Sequence, residues 1–188
     1  MMKYLLTVLM LALLTLPALA ENQMGVSSLD DGLDPVNIID INVPFSMYVV
    51  LVDPTQPTIG GYECSLSFDG DQPVVLEVDG PNDWTNFGSG DNHLVGYGTP
   101  LPATPYLILA TYSCLVLEGP FETFMVMGPS EPSSFEGEGP GYVDGEDTDL
   151  LILCTYTLDE DGIVGAISDD IVVPVETKSL SAVKTLFE

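Results

Sequence analysis

Six consecutive residues, Asp144-Gly145-Glu146-Asp147-Thr148-Asp149, set four carboxylates around one glycine. Carboxylates spaced this way can wrap a hard cation, and calcium takes roughly six to eight oxygen ligands. Asp144, Glu146, Asp147 and Asp149 are therefore the candidate metal ligands, and calcium is the candidate cofactor. The segment lacks the spacing and the closing glutamate of an EF-hand loop. A solvated acidic turn ahead of a strand accounts for the same residues, because 29 acids in 188 residues make such clusters common. Asp30-Asp31-Gly32-Leu33-Asp34, Asp69-Gly70-Asp71 and Asp159-Glu160-Asp161 read as turns.

A second candidate chemistry is aromatic. Trp84, Phe87 and Tyr97 fall in or near one glycine-rich stretch. Exposed rings stack on sugar rings, which makes Trp84 and Tyr97 the candidate ligand-binding pair. The alternative is that Trp84 closes one end of the core, since tryptophan is highly buried on average.

Catalytic chemistry finds little to work with, and no catalytic residue is assigned. His93 is the sole histidine, and no G-x-S-x-G turn accompanies it. Asn92-His93-Leu94-Val95 reads as the start of a strand, so His93 is expected to be structural. Gly88-Ser89-Gly90 does not open a helix and is no nucleotide loop. A carboxylate pair could in principle hydrolyse a glycoside, but sequence alone does not set the separation of two acids, and the chain is small for a glycosidase. The expectation is a protein that is not an enzyme.

Cys64, Cys114 and Cys154 all sit in predicted strands. Buried cysteine behaves as a small hydrophobe. Three core thiols are one reading, and one disulfide with a thiol left over is the other.

The elements that must position these groups show a period of two. Tyr62, Cys64, Leu66 and Phe68 alternate with Glu63, Ser65 and Ser67, the mark of a strand buried on one face. Residues 46–52 and 73–78 read as its neighbours. Residues 106–117 and 150–158 are apolar enough to be central strands. Residues 121–127 alternate again. Asp159-Glu160-Asp161-Gly162 signals a hairpin turn leading into a returning strand at 163–168. Residues 171–175 make a last short strand, confined to an edge by Pro174. About nine short strands separated by Gly and Pro indicate an all-β fold, an antiparallel β-sandwich. Residues 79–92 and 128–149 are the expected loops, and a loop as long as the second is often functional. Helical spacing is confined to the tail, where Leu180, Val183 and Leu186 recur.

The N-terminus carries an address. Lys3 precedes an apolar run over residues 5–16, followed by Pro17 and Ala18-Leu19-Ala20. A basic start, a short apolar middle and a small-x-small site make a secretory signal peptide at residues 1–20, cleaved after Ala20. The run is too short to span a bilayer as a helix, which takes roughly 20 residues. The expected mature protein, residues 21–188, is one domain with a tail at 176–188. It is secreted or held at a bacterial cell surface.

Charge narrows the partners. The chain has formal net charge −26 with three Lys and no Arg, and loss of Lys3 with the leader makes the mature charge −27. Binding to nucleic acid needs Lys and Arg to neutralise phosphates, so nucleic acid is excluded. Anionic membrane surfaces repel the chain for the same reason. A protein or polysaccharide at the cell surface, or self-assembly into a fibre, remains.

At Gly60-Gly61-Tyr62-Glu63-Cys64-Ser65-Leu66-Ser67-Phe68 the chain resembles cohesin-like domains. Their glycine-aromatic strand is followed by a "VLEV" strand and later by an "LATxxFxV" strand. Val75-Leu76-Glu77-Val78 and Leu109-Ala110-Thr111-Tyr112-Ser113-Cys114-Leu115-Val116 stand at those places. The chain is also similar to a group of exported bacterial proteins, through Met24-Gly25-Val26, Val95-Gly96-Tyr97-Gly98-Thr99-Pro100-Leu101-Pro102 and Gly128-Pro129-Ser130-Glu131-Pro132-Ser133. Val183-Lys184-Thr185-Leu186-Phe187 fits the same group. Ser27 and Ser28 depart from its pattern, as does Glu188. The resemblance implies an Ig-like or jelly-roll sandwich with a structural or binding role outside the cell, and no catalytic residue.

Overall fold

The computed structural model describes residues 21–134, 139–158 and 162–169. The leader, the strand expected at 171–175 and the tail lie outside the described residues, as does most of the 159–162 turn. Thirteen strands and no helix are found among those described: β1 Gln23–Ser27, β2 Val36–Ile38, β3 Phe45–Val52, β4 Thr58–Gly70, β5 Val74–Asp79, β6 Trp84–Asn86, β7 Asn92–Pro102, β8 Tyr106–Leu115, β9 Glu122–Gly128, β10 Gly141–Asp144, β11 Leu151–Leu153, β12 Thr155–Tyr156 and β13 Ile163–Ser168.

They form two sheets. Sheet A runs β12-β1-β3-β8-β5. Sheet B runs β11-β10-β4-β9-β13-β2, with β7 and then β6 added beside β4. Pairing is antiparallel except for β1 with β12 and β2 with β13. Those two parallel pairs join N-terminal strands to late ones in each sheet. The expected all-β sandwich is the observed fold.

β4 organises sheet B. Ser65 pairs with Asn92 of β7 and with Gly128 of β9, so these two flank opposite edges. Glu63 pairs with Leu94 of β7 and with Gly141 of β10. β9 and β10 therefore follow each other along one edge of β4. The chain leaves that edge after Gly128, makes an excursion, and returns at Gly141.

The alternation of β4 sends Tyr62, Cys64 and Leu66 into the core, where they meet Met47, Val49 and Leu51 of β3 and Leu109, Tyr112 and Cys114 of β8. Burial of such side chains contributes about 1.5–3 kcal/mol each.

Five expectations need correction. The loops expected at 79–92 and 128–149 each hold a strand, β6 and β10, because these segments pair with β7 and β4. Residues 150–158 are not a central strand, because the segment splits between the two sheets. Leu151 and Leu153 of β11 are exposed on the edge of sheet B, while β12 joins the edge of sheet A. The crossing is fixed at Cys154, whose N–H donates to the Pro140 carbonyl at 2.9 Å. No hairpin joins β12 to β13 either, since β13 pairs with β9 and β2 in the other sheet. Gly162, the described end of that segment, has φ of 85°, a conformation that favours glycine. Residues 46–52 and 73–78 fall in β3 and β5, which flank β8 in sheet A and do not neighbour β4.

Candidate functional site

His93 is 2% exposed and lies between two tyrosines. Its Nδ1 is 2.8 Å from the Tyr62 hydroxyl. Its Nε2 meets the hydroxyl of Tyr112. Tyr62 and His93 belong to sheet B and Tyr112 to sheet A, so the chain of bonds crosses the sandwich. A neutral imidazole has one N–H donor and one acceptor nitrogen, and two hydroxyls satisfy both. Burial lowers the His93 pKa to about 4. Burial likewise raises the pKa values of Tyr62 and Tyr112. No group in this chain faces solvent, so it is a structural bridge, as expected for His93.

Trp84 and Tyr97 are directly opposite each other in the β6–β7 register. Cross-strand partners share a face of the sheet. That face is the inner one: Tyr97 is 8% exposed and its hydroxyl donates to the Leu109 carbonyl at 3.0 Å. Trp84 packs half-buried against the core over Gly80, where a Cβ would lie 2.5 Å from the indole. The pair braces one end of the sandwich and offers no open sugar platform.

The acidic segment ends β10. Asp144 is buried, and its Oδ1 accepts the Glu146 N–H at 3.0 Å and the Thr58 hydroxyl at 3.4 Å. Asp147 Oδ1 accepts the Asp149 N–H at 3.1 Å. Glu146, Asp147 and Asp149 are exposed. Among the described residues no three His, Cys, Asp or Glu side chains converge to hold a metal. Asp144 and Asp147 act as acceptors within their own turn.

All three cysteines are free and buried. Burial raises the pKa of Cys114 to about 11 and of Cys154 to about 12, and raises that of Cys64 further.

The outer face of sheet B is shaped differently from the rest of the surface. Thr85, Gly96, Gly61, Val143 and Leu151 form one cross-strand row over β6, β7, β4, β10 and β11. Leu94, Glu63, Gly141 and Leu153 form the next. Gly61, Gly96 and Gly141 thus adjoin and leave a flat floor. A Cβ at Gly61 would lie 2.2 Å from the Val95 carbonyl oxygen, so no larger residue fits this pairing. The Phe87 ring lies over Gly96, 3.7 Å from where its Cβ would be, and is 77% exposed. Leu94, Val143 and Leu151 complete a shallow cavity of about 410 Å³.

Glu63 borders this cavity and is 5% exposed. Its Oε1 accepts the Ser133 hydroxyl at 2.8 Å and the Ser134 N–H at 2.7 Å. Asn92 Oδ1 accepts the Glu131 N–H at 2.9 Å. The excursion between β9 and β10 is therefore tied to β4 at Glu63 and to β7 at Asn92, and Ser134 borders one side of the cavity. Sequence reasoning singled out Phe87 only as a neighbour of Trp84. It missed the glycine floor and the role of Glu63. One local signal bore on the aromatic pair: His93, Val95 and Tyr97 alternate with Leu94 and Gly96, which sends Tyr97 inward.

Among protein-family models and curated proteins, none matches this sequence. Solved structures do. The sixth cohesin of scaffoldin B from Acetivibrio cellulolyticus, in complex with a mutant Cel5 dockerin, superposes with a TM-score of 0.55 at 9% identity. The match covers 80% of this chain and 100% of that one. The second type II cohesin module of the ScaA scaffoldin from the same organism gives 0.47 at 14% identity, covering 90% and 98%. The described strands have the fold of a cohesin module.

Proposed function

We propose that this chain is a non-catalytic module, acting outside the cell, that binds a protein partner on the outer face of sheet B. The carrying observation is the Phe87 ring, 77% exposed over a glycine floor and flanked by Leu94, Val143 and Leu151. An exposed aromatic in a shallow apolar depression is what a protein interface buries at its centre. The acidic turn at Glu146 and Asp147 borders the depression through Thr148, which favours a partner with a basic rim. The cohesin of similar fold is held in complex with a dockerin, which supports a protein as the ligand class. The leader at residues 1–20 supports action outside the cell.

The test is retention of proteins exported by the source cells on the immobilised mature chain. Phe87→Glu and Leu33→Glu are compared with the unaltered protein. Leu33 is exposed at a distance from β6 and β7 in the sequence and serves as the control. One defined protein is expected on the unaltered chain and on Leu33→Glu, and not on Phe87→Glu. Equal retention by all three, or retention of nothing, overturns the proposal.

A further inference from the structure

Sheet A ends in a strand that looks unfinished. The edge strands of the two sheets are β12, β11, β2, β6 and β5. The first four have two or three residues each, whereas β5 has six. Among the described residues, β5 alone is long enough for another strand to pair along it.

Its side chains are also unusual for an edge. Val74, Val75 and Leu76 are consecutive and are 44%, 42% and 52% exposed. Val75 pairs with Cys114, a core residue, so it points to the core side of sheet A, yet sheet B does not cover it. Leu76 is the additional residue of a bulge, where the register passes from Val75/Cys114 to Glu77/Ser113. Leu117, just beyond β8, is exposed as well. A cavity of about 430 Å³ opens at this end between Val74, Leu115, Leu117 and Phe121.

A run of exposed apolar residues on a free edge invites strand addition, and proteins usually block it with charge. The charges here are all of one sign. Glu77 and Asp79 lie on β5, and Asp71 and Glu118 line the cavity. No Lys or Arg occurs among the described residues. Acids alone repel a second copy of this chain, whose net charge is also strongly negative, but they complement a cationic strand.

We propose that the outer edge of β5 accepts an extended segment of a partner protein in which apolar residues alternate with Lys or Arg. Backbone pairing supplies the alignment, the apolar residues cover Val75 and Leu76, and the cations meet Glu77 and Asp79. This edge belongs to the other sheet from the Phe87 face, and the proposal stands without it.

The experiment titrates the isotopically labelled mature chain with a synthetic peptide of alternating valine and lysine and follows backbone amides by NMR. A second peptide of the same sequence is N-methylated at alternate residues, which removes its pairing edge and keeps its charge. Saturable shifts confined to β5 and residues 115–118 are expected, with at least tenfold weaker binding of the methylated peptide. Equal binding of both peptides, or shifts spread over the acidic surface, reduces the effect to charge and overturns the proposal. Shifts of β5 amides on raising protein concentration without peptide make a second copy the occupant and also overturn it. So does peptide binding that appears only when Ile171 and Val173 are changed to Asp in the full chain, because the edge is then already held from within.

Discussion

The buried bridge Tyr62–His93–Tyr112 makes stability depend on pH in a way that one substitution can isolate. Protonation would turn both imidazole nitrogens into donors, and Tyr62 and Tyr112 would each have to accept. The one hydroxyl that now donates to the acceptor nitrogen would lose the partner for its proton. Burial is the cause of the shift to about 4. The folded pKa is thus below the unfolded value of about 6.5, so the unfolded state binds the extra proton. The stability contributed by keeping His93 neutral is fully present above about pH 6.5 and is lost as pH falls toward 4. A depression of this size corresponds to about 3 kcal/mol in total, of which about 2 kcal/mol is gone by pH 5.

The assay is urea unfolding followed by the fluorescence of Trp84, the single tryptophan, at pH 7.5, 6, 5 and 4.5. Urea leaves the electrostatics in place. The unaltered protein is compared with His93→Gln, which hydrogen-bonds but does not titrate. The many surface carboxylates are common to both and cancel in the difference. For a urea slope of about 2 kcal/mol per M, the midpoint of the unaltered protein should fall by about 1 M relative to the variant between pH 7.5 and 5. Parallel curves would refute the reasoning, as would a His93 ring proton that titrates by NMR near 6.5.

Glu63→Ala removes the acceptor for Ser133 and Ser134, and it should cost about 1–3 kcal/mol while raising hydrogen exchange at the Ser134 amide. A variant as stable and as protected as the unaltered chain would show that the excursion is held elsewhere. The three thiols should fail to react with an aromatic disulfide reagent at pH 8 in the native state and react completely in urea, since burial keeps them protonated and covered. Prompt native labelling of any one would contradict its burial. Millimolar calcium should raise the melting temperature no more than sodium at matched ionic strength, because Asp144 and Asp147 already accept hydrogen bonds in their own turn. A calcium-specific rise abolished by Asp147→Asn would reinstate the cation site.

What the sequence made legible follows from which signals are local. β9 alternates throughout and β4 sends Tyr62, Cys64 and Leu66 inward, as the period of two indicates, whereas β5 shows no alternation and leaves Val74, Val75 and Leu76 all exposed. β7 was harder to read, because Gly96, Gly98, Pro100 and Pro102 signal turns to any local rule. In the sheet they do something else. The prolines occupy the far end, where Pro102 pairs with Thr58, and Gly96 lies beside Gly61 to make the floor under Phe87. That floor is a property of register: three glycines distant in sequence become neighbours only when β10, β4 and β7 align. The acidic turn shows the converse. Its spacing was suggestive locally, and the fold spends two of its carboxylates on backbone N–H groups. With no Lys or Arg among the described residues, such bonds are the main protein partners left to acids there. Asp34, Asp79 and Asp169 make them as well. Carboxylate clusters in so acidic a chain are therefore poor guides to ligands. The residues that cannot be spent internally, Phe87 on one sheet and Val75 and Leu76 on the other, are the better ones.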